Sequence, residues 1–144
     1  MAKPLVTFPD PESAVVTYLR AELAGRAEAY APASSAITVT FPSTTLTGDA
    51  TAVQVELESG SVADYPVTER AQVRVNCHAA PGKRSNVKAL ASLAQGVLYG
   101  LTSASVAGVT PTLGRSDVIE DPDTGNLMCW FTVRVDLKAS LLAS

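Results

Sequence analysis

Between residues 70 and 101 the spacing of apolar residues changes from every second position to every third or fourth. In residues 71–79 the odd positions are small or apolar (Ala71, Val73, Val75, Cys77, Ala79). The even positions (Gln72, Arg74, Asn76, His78) are polar. A period of two places these sets on opposite faces of a sheet, one buried and one polar. Pro81 and Gly82 then break the strand, and Ser85 is placed to cap a helix starting at Asn86. Val87, Leu90, Ala91, Ala94, Val97, Leu98 and Leu101 fall on one stripe of that helix. The strand reaches about 30 Å and the helix about 25 Å, so the two can lie along one another.

The same patterns recur on either side. Asp10, Pro11 and Glu12 offer a capping carboxylate, a first-turn proline and an acid near the positive end of the helix dipole. They predict a helix from Pro11 to about Ala24, with Val15, Val16, Leu19 and Leu23 buried and Gly25 as its stop. Residues 36–41 and 53–58 alternate and are rich in β-branched side chains, which predicts two strands, the second with Glu56 and Glu58 pointing outward. Residues 59–68 read as a connection. Residues 115–120 read as a weaker strand. A turn containing Pro122 and Gly125 then leads into the most regular strand of the chain. There Cys129, Phe131, Val133, Val135 and Leu137 face inward, and Trp130, Thr132, Arg134, Asp136 and Lys138 outward.

The predicted order is therefore α-β-β-β-α-β-β. Consecutive strands and a closing hairpin favour an α+β class, with a mainly antiparallel five-stranded sheet and two helices packed on one face. The 144 residues suit a single domain over 1–144. Residues 1–9 read as an extended N-terminal arm. Residues 43–51 and 102–112, rich in Thr, Ser and Gly, read as candidate mobile loops.

Composition narrows the classes of function. Hydrophobic residues make up 47% and charged residues 17%, a globular balance rather than a disordered one. The net charge of −3 argues against a protein built to grip nucleic acid, although DNA could pass by it. No apolar run approaches 18 residues, and the N-terminal residues have no apolar core, so neither a membrane span nor a signal peptide is expected.

Candidate chemistry is sparse. Cys77 and His78 point to opposite faces of one strand, so with Cys129 they make a poor metal set; buried free thiols are expected instead. Asp121, Asp123, Gly125 and Asn126 resemble the start of a calcium loop, but a hydrophobic strand follows where a bidentate glutamate would be needed. One histidine, with no GxSxG and no phosphate loop, assembles no catalytic set. No catalytic residue, cofactor or metal ligand is therefore expected. Arg74, Asn76, His78, Arg134 and Asp136 share the polar face with Trp130. Such a face is either solvated or, given a tryptophan beside arginines, a protein interface.

The segment Thr68-Glu69-Arg70-Ala71-Gln72-Val73-Arg74-Val75 with its following helix carries a family resemblance. So do Gly114-Arg115-Ser116, the Asp121-Pro122-Asp123-Thr124-Gly125 turn, and Trp130-Phe131-Thr132-Val133-Arg134-Val135. With the Pro-Asp-Pro-Glu helix entry, the chain resembles the tail terminator proteins of long-tailed bacteriophages over about two thirds of its length. Residues 40–66 depart from the family pattern. The resemblance implies a non-enzymatic virion protein, assembled in the host cytoplasm, that forms a ring, commonly hexameric, at the head-proximal end of the tail tube. It further implies that the ring stops tube polymerisation, binds the tail tube protein and a head-completion or connector protein, and lets DNA pass without specific binding. Arg74, Asn76, His78, Trp130 and Arg134 are then candidates for one subunit interface, with Glu56, Glu58, Glu120 and Asp121 as charge-matched candidates for its partner. Two other readings stay open at this point: a head-completion or connector protein of the same assembly, and a monomeric small-ligand-binding or hydrolytic α+β domain.

Overall fold

A computed structural model describes residues 5–24, 38–40, 51–64, 68–122 and 125–141. Its elements are β1 (Val6–Thr7), α1 (Pro11–Leu23), β2 (Thr38–Thr40), β3 (Ala52–Asp64), β4 (Thr68–Ala79), α2 (Arg84–Leu98), β5 (Val106–Leu113), β6 (Ile119–Glu120), β7 (Leu127–Lys138) and β8 (Ser140–Leu141). The fold is α+β. Five strands run in the order β2-β3-β4-β7-β5, β6 adds a short pairing to β7, and all contacts are antiparallel except the parallel β2–β3 pair.

The centre of the sheet follows from the alternation in the two longest regular strands. β4 and β7 pair without a shift from Thr68–Lys138 to Ala79–Leu127. Every inward residue from Ala71 to Ala79 and from Leu127 to Leu137 is buried. A one-residue slip of either strand against the other would turn its apolar row to solvent, so this register is strongly fixed. Helix α2 covers the inner face with Val87, Leu90, Ala91, Ala94 and Leu98. It lies over β4 and β7, while α1 lies over β2 and β3. The cap on α1 forms as its residues dictate: the Asp10 carboxylate accepts from Glu12 N at 3.0 Å and from Ser13 Oγ at 2.9 Å.

Several boundaries differ from the sequence-based expectation. Helix α2 starts at Arg84 behind Lys83 and has no side-chain cap, so Ser85 lies inside its first turn. β3 runs on to Asp64 as half of a long hairpin with β4, where a connection was expected; shifts between Leu57 and Ser59 and between Val62 and Asp64 absorb the break in alternation. Residues 115–118 are irregular and only Ile119–Glu120 is strand. The largest difference is β5, which occupies most of the expected loop 102–112 and forms the sheet edge beside β7. Its inward residue Val106 is buried and Val109 packs against the core, while Pro111 is tolerated because this is an edge. Within the expected arm, Val6–Thr7 pairs with Ser140–Leu141. Residues 43–50 and the expected helix stop at Gly25 lie outside the described residues.

Candidate functional site: the polar sheet face

The outer face of β3, β4 and β7 gathers most of the candidates. Asn76 lies directly opposite Trp130 and Arg74 opposite Thr132, so Arg74 and Trp130 are diagonal neighbours. The Arg74 guanidinium carbon sits 4.4 Å from the centroid of the Trp130 ring, a cation–π contact. Arg74 Nε donates to Asn76 Oδ1 at 2.9 Å and lies 3.6 Å from Glu56 Oε1, and Asn76 Nδ2 donates to the same Glu56 oxygen at 3.2 Å. Four residues from three adjacent strands thus hold one another in place. The network holds the Arg74 guanidinium over the Trp130 ring from one side.

A second polar group lies further along β7. Arg134 Nε is 3.2 Å from Asp136 Oδ1, and Arg70 Nε is 3.9 Å from the same oxygen. Between the two groups Thr132 is buried and its hydroxyl is 2.9 Å from that of Thr112 on β5, which ties the edge strand to the face.

The nine candidate residues do not form one patch or two separate ones. Arg74, Asn76, Trp130 and Glu56 make a single network inside one chain, and Glu58, on the same strand as Glu56, accepts from Gln72 Nε2 at 2.9 Å. Arg134 stands in the second group. His78, Glu120 and Asp121 line a separate cavity of about 460 Å³ near the β6 turn, together with Pro122, Asn126 and Met128. His78 Nε2 has no hydrogen-bond partner there, and burial holds its imidazole below the usual histidine pKa. The pairing of Arg74 with Glu56 needs the cross-strand register; charge and parity alone leave open whether the two meet within a chain or between chains.

Cys77 and Cys129 face each other across β4 and β7 on the inner side as buried free thiols, and burial with a neighbouring thiol pushes the Cys77 pKa well up. Among the described residues no three His, Cys, Asp or Glu side chains come together as a metal-binding group, and no helix is long and apolar enough to cross a membrane. A groove of about 530 Å³ between α1 and residues 101–105 is lined mostly by apolar and small residues. Its two ionisable groups are occupied: Asp10 caps α1, and the Tyr18 hydroxyl donates to Val97 O at 2.9 Å.

The arrangement defines a two-helix, mainly antiparallel α+β fold with a structured polar face. Among solved structures it is similar to a chain of the virion of a native gene transfer agent particle, with a TM-score of 0.56 and 18% sequence identity, covering 89% of this chain and 94% of that one. At that identity the likeness is one of fold. No protein-family model matches the sequence, and no curated protein matches it.

Proposed function

We propose that this chain is a structural virion protein that closes the end of a phage tail tube as a ring, stops tube polymerisation and presents the surface that joins the head. The observation that carries the reading is the likeness of fold, over nearly the whole of both chains, to a component of a gene transfer agent virion. The sequence pattern of β4, α2, the 121–125 turn and β7 supports it independently through its resemblance to tail terminators. Ring partners are further copies of this chain, probed first at the outer face. Trp130, held by Arg74, supplies a half-buried aromatic anchor of the kind that dominates protein interfaces. The tail tube protein and a head-completion or connector protein lie on either side of the ring. A net charge of −3 suits a lumen through which DNA slides without sticking.

The test is electron microscopy of the purified protein, alone and with polymerising tail tubes. Rings that cap one end of each tube and halt elongation are expected. Changing Trp130→Ala and Arg134→Glu together should leave the circular dichroism spectrum unchanged and weaken ring formation. Tubes that elongate at the same rate with and without the protein would contradict the reading.

A further inference from the structure

The four most exposed large apolar side chains among the described residues fall into two pairs. Leu113 (56% exposed) and Ile119 (46%) belong to the edge segment beside β7. Leu141 (77%) ends β8, and Leu5 (69%) leads into its partner β1.

The first pair flanks Trp130. The register shift between Pro111 and Leu113 sets Thr112 and Leu113 both against Thr132, and the Thr112 and Thr132 hydroxyls meet at 2.9 Å. Leu113 thus stands on the outer face, as does Ile119 opposite Met128. Between them, Ser116 N donates to Trp130 O at 2.7 Å and Trp130 N donates to Ser116 Oγ at 3.0 Å, which fixes the segment to β7. Leu113, Trp130, Met128 and Ile119 therefore form one apolar row on the outer face. Arg74 lies over Trp130 from the β4 side, and charges of both signs (Arg74, Glu56, Arg134, Glu120) stand around the row. An apolar centre within a polar rim is the anatomy of a protein interface.

The second pair lies past the other end of β7. From Trp130 to Lys138 the strand extends about 26 Å at about 3.3 Å per residue. The β1–β8 ribbon follows, with Val6 opposite Leu141 and Thr7 opposite Ser140, and neither strand pairs with the main sheet. So short a two-stranded ribbon is marginal by itself and gains from a cover. In sequence Leu142 follows Leu141 directly, so the apolar tip does not stop at the last described residue. Row and ribbon stand at opposite ends of one strand and cannot cover each other within a chain.

We propose that the β1–β8 ribbon of one copy packs Leu5 and Leu141 on the Leu113–Trp130–Ile119 row of the next. The inference rests on the ring reading and supplies the partner surface for its Trp130 face. Row and ribbon are different surfaces, so the contact is heterologous. A growing assembly keeps a free row at one end and a free ribbon at the other until it closes. Two rows packed face to face would also bury their apolar residues, but they would leave both ribbons uncovered and stop at a pair.

Sedimentation velocity and electron microscopy of the full chain test the contact. Leu113→Asp with Ile119→Asp removes the row, and Leu5→Asp with Leu141→Asp removes the ribbon tip. All four positions are exposed and stand at or beside strand ends, so the circular dichroism spectrum should not change. Each doubly substituted chain alone should associate at least about tenfold more weakly than wild type, since it brings charge without a partner into an apolar contact. If an aspartate pair disturbs the fold, the corresponding threonine pair carries the same expectation. An equimolar mixture of the two variants should give one-to-one pairs and nothing larger, because each pair holds only one intact ribbon and one intact row. Either variant assembling as wild type does, a mixture that stays monomeric, a mixture that regains full-size rings, or a wild-type chain that stays monomeric would overturn the contact. Rings that form in spite of both substitutions would leave the ring reading standing. Failure of that reading shows separately, in tails of normal length assembled without the protein.

Discussion

Val133→Ala probes the core at the point where the account is most exposed to measurement. Val133 lies in the middle of β7, opposite Val73 on one side and Pro111 on the other, and is fully buried. The change removes two methyl groups, a transfer loss of about 1.6 kcal/mol at about 0.8 kcal/mol each. β7 is held by hydrogen-bonded neighbours on both sides, so the walls of the new cavity have little freedom to close. A residual void of roughly 40 Å³ adds about 1 kcal/mol at about 24 cal/mol per Å³. The expected loss is therefore about 2–3 kcal/mol. Equilibrium urea unfolding at a fixed chain concentration measures it, since association of native copies would otherwise add to apparent stability. The midpoint should fall with the slope unchanged, and the exposed control Ser92→Ala should stay within about 0.5 kcal/mol of wild type. If Val133→Ala matched that control, Val133 would not be in the core and the β4–β7 register would be wrong.

Three further outcomes follow from the same geometry. Because burial lowers the pKa of His78 in the folded chain, the unfolded chain takes up this proton first as pH falls. Stability should thus decline below about pH 6.5 and level off once folded His78 also protonates, and His78→Gln should remove that part of the slope in urea titrations. Cys77 and Cys129 are buried, with the Cys77 thiol pushed well above its usual pKa, so a thiol reagent should react with neither in the native protein and with both in denaturant; prompt labelling of the native protein would show that the β4–β7 core opens. In hydrogen exchange, amides of β4 and β7 should be the slowest in the chain, and β5 should lose protection earlier, as an edge strand with few buried side chains.

The regular parts of this fold are legible because a single physical signal governs them. On β4 and β7 one face is buried and the other is not, so hydrophobic alternation and structure coincide residue by residue. The start of α1 is legible because Asp10, Pro11 and Glu12 act locally. β5 is not, since an edge strand buries only alternate residues on one side, and Ala107, Gly108 and Pro111 interrupt the β-branched residues with ones that disfavour strands. Its stability comes from β7, a partner some twenty to thirty residues away. The start of α2 at Arg84 departs from the Ser85 capping signal for a related reason: packing of Val87 and Leu90 outweighs a local capping preference. The polar face was legible as a set of residues, but not as a network. The Arg74–Trp130 contact depends on which residue of β4 lies opposite which residue of β7.

The most direct test of the proposed function is electron microscopy of virions and tails from a phage in which this gene is interrupted. Tail tubes of uncontrolled length, many longer than wild type, that fail to join filled heads are expected. Tails of normal length attached to heads in the absence of this protein would contradict it.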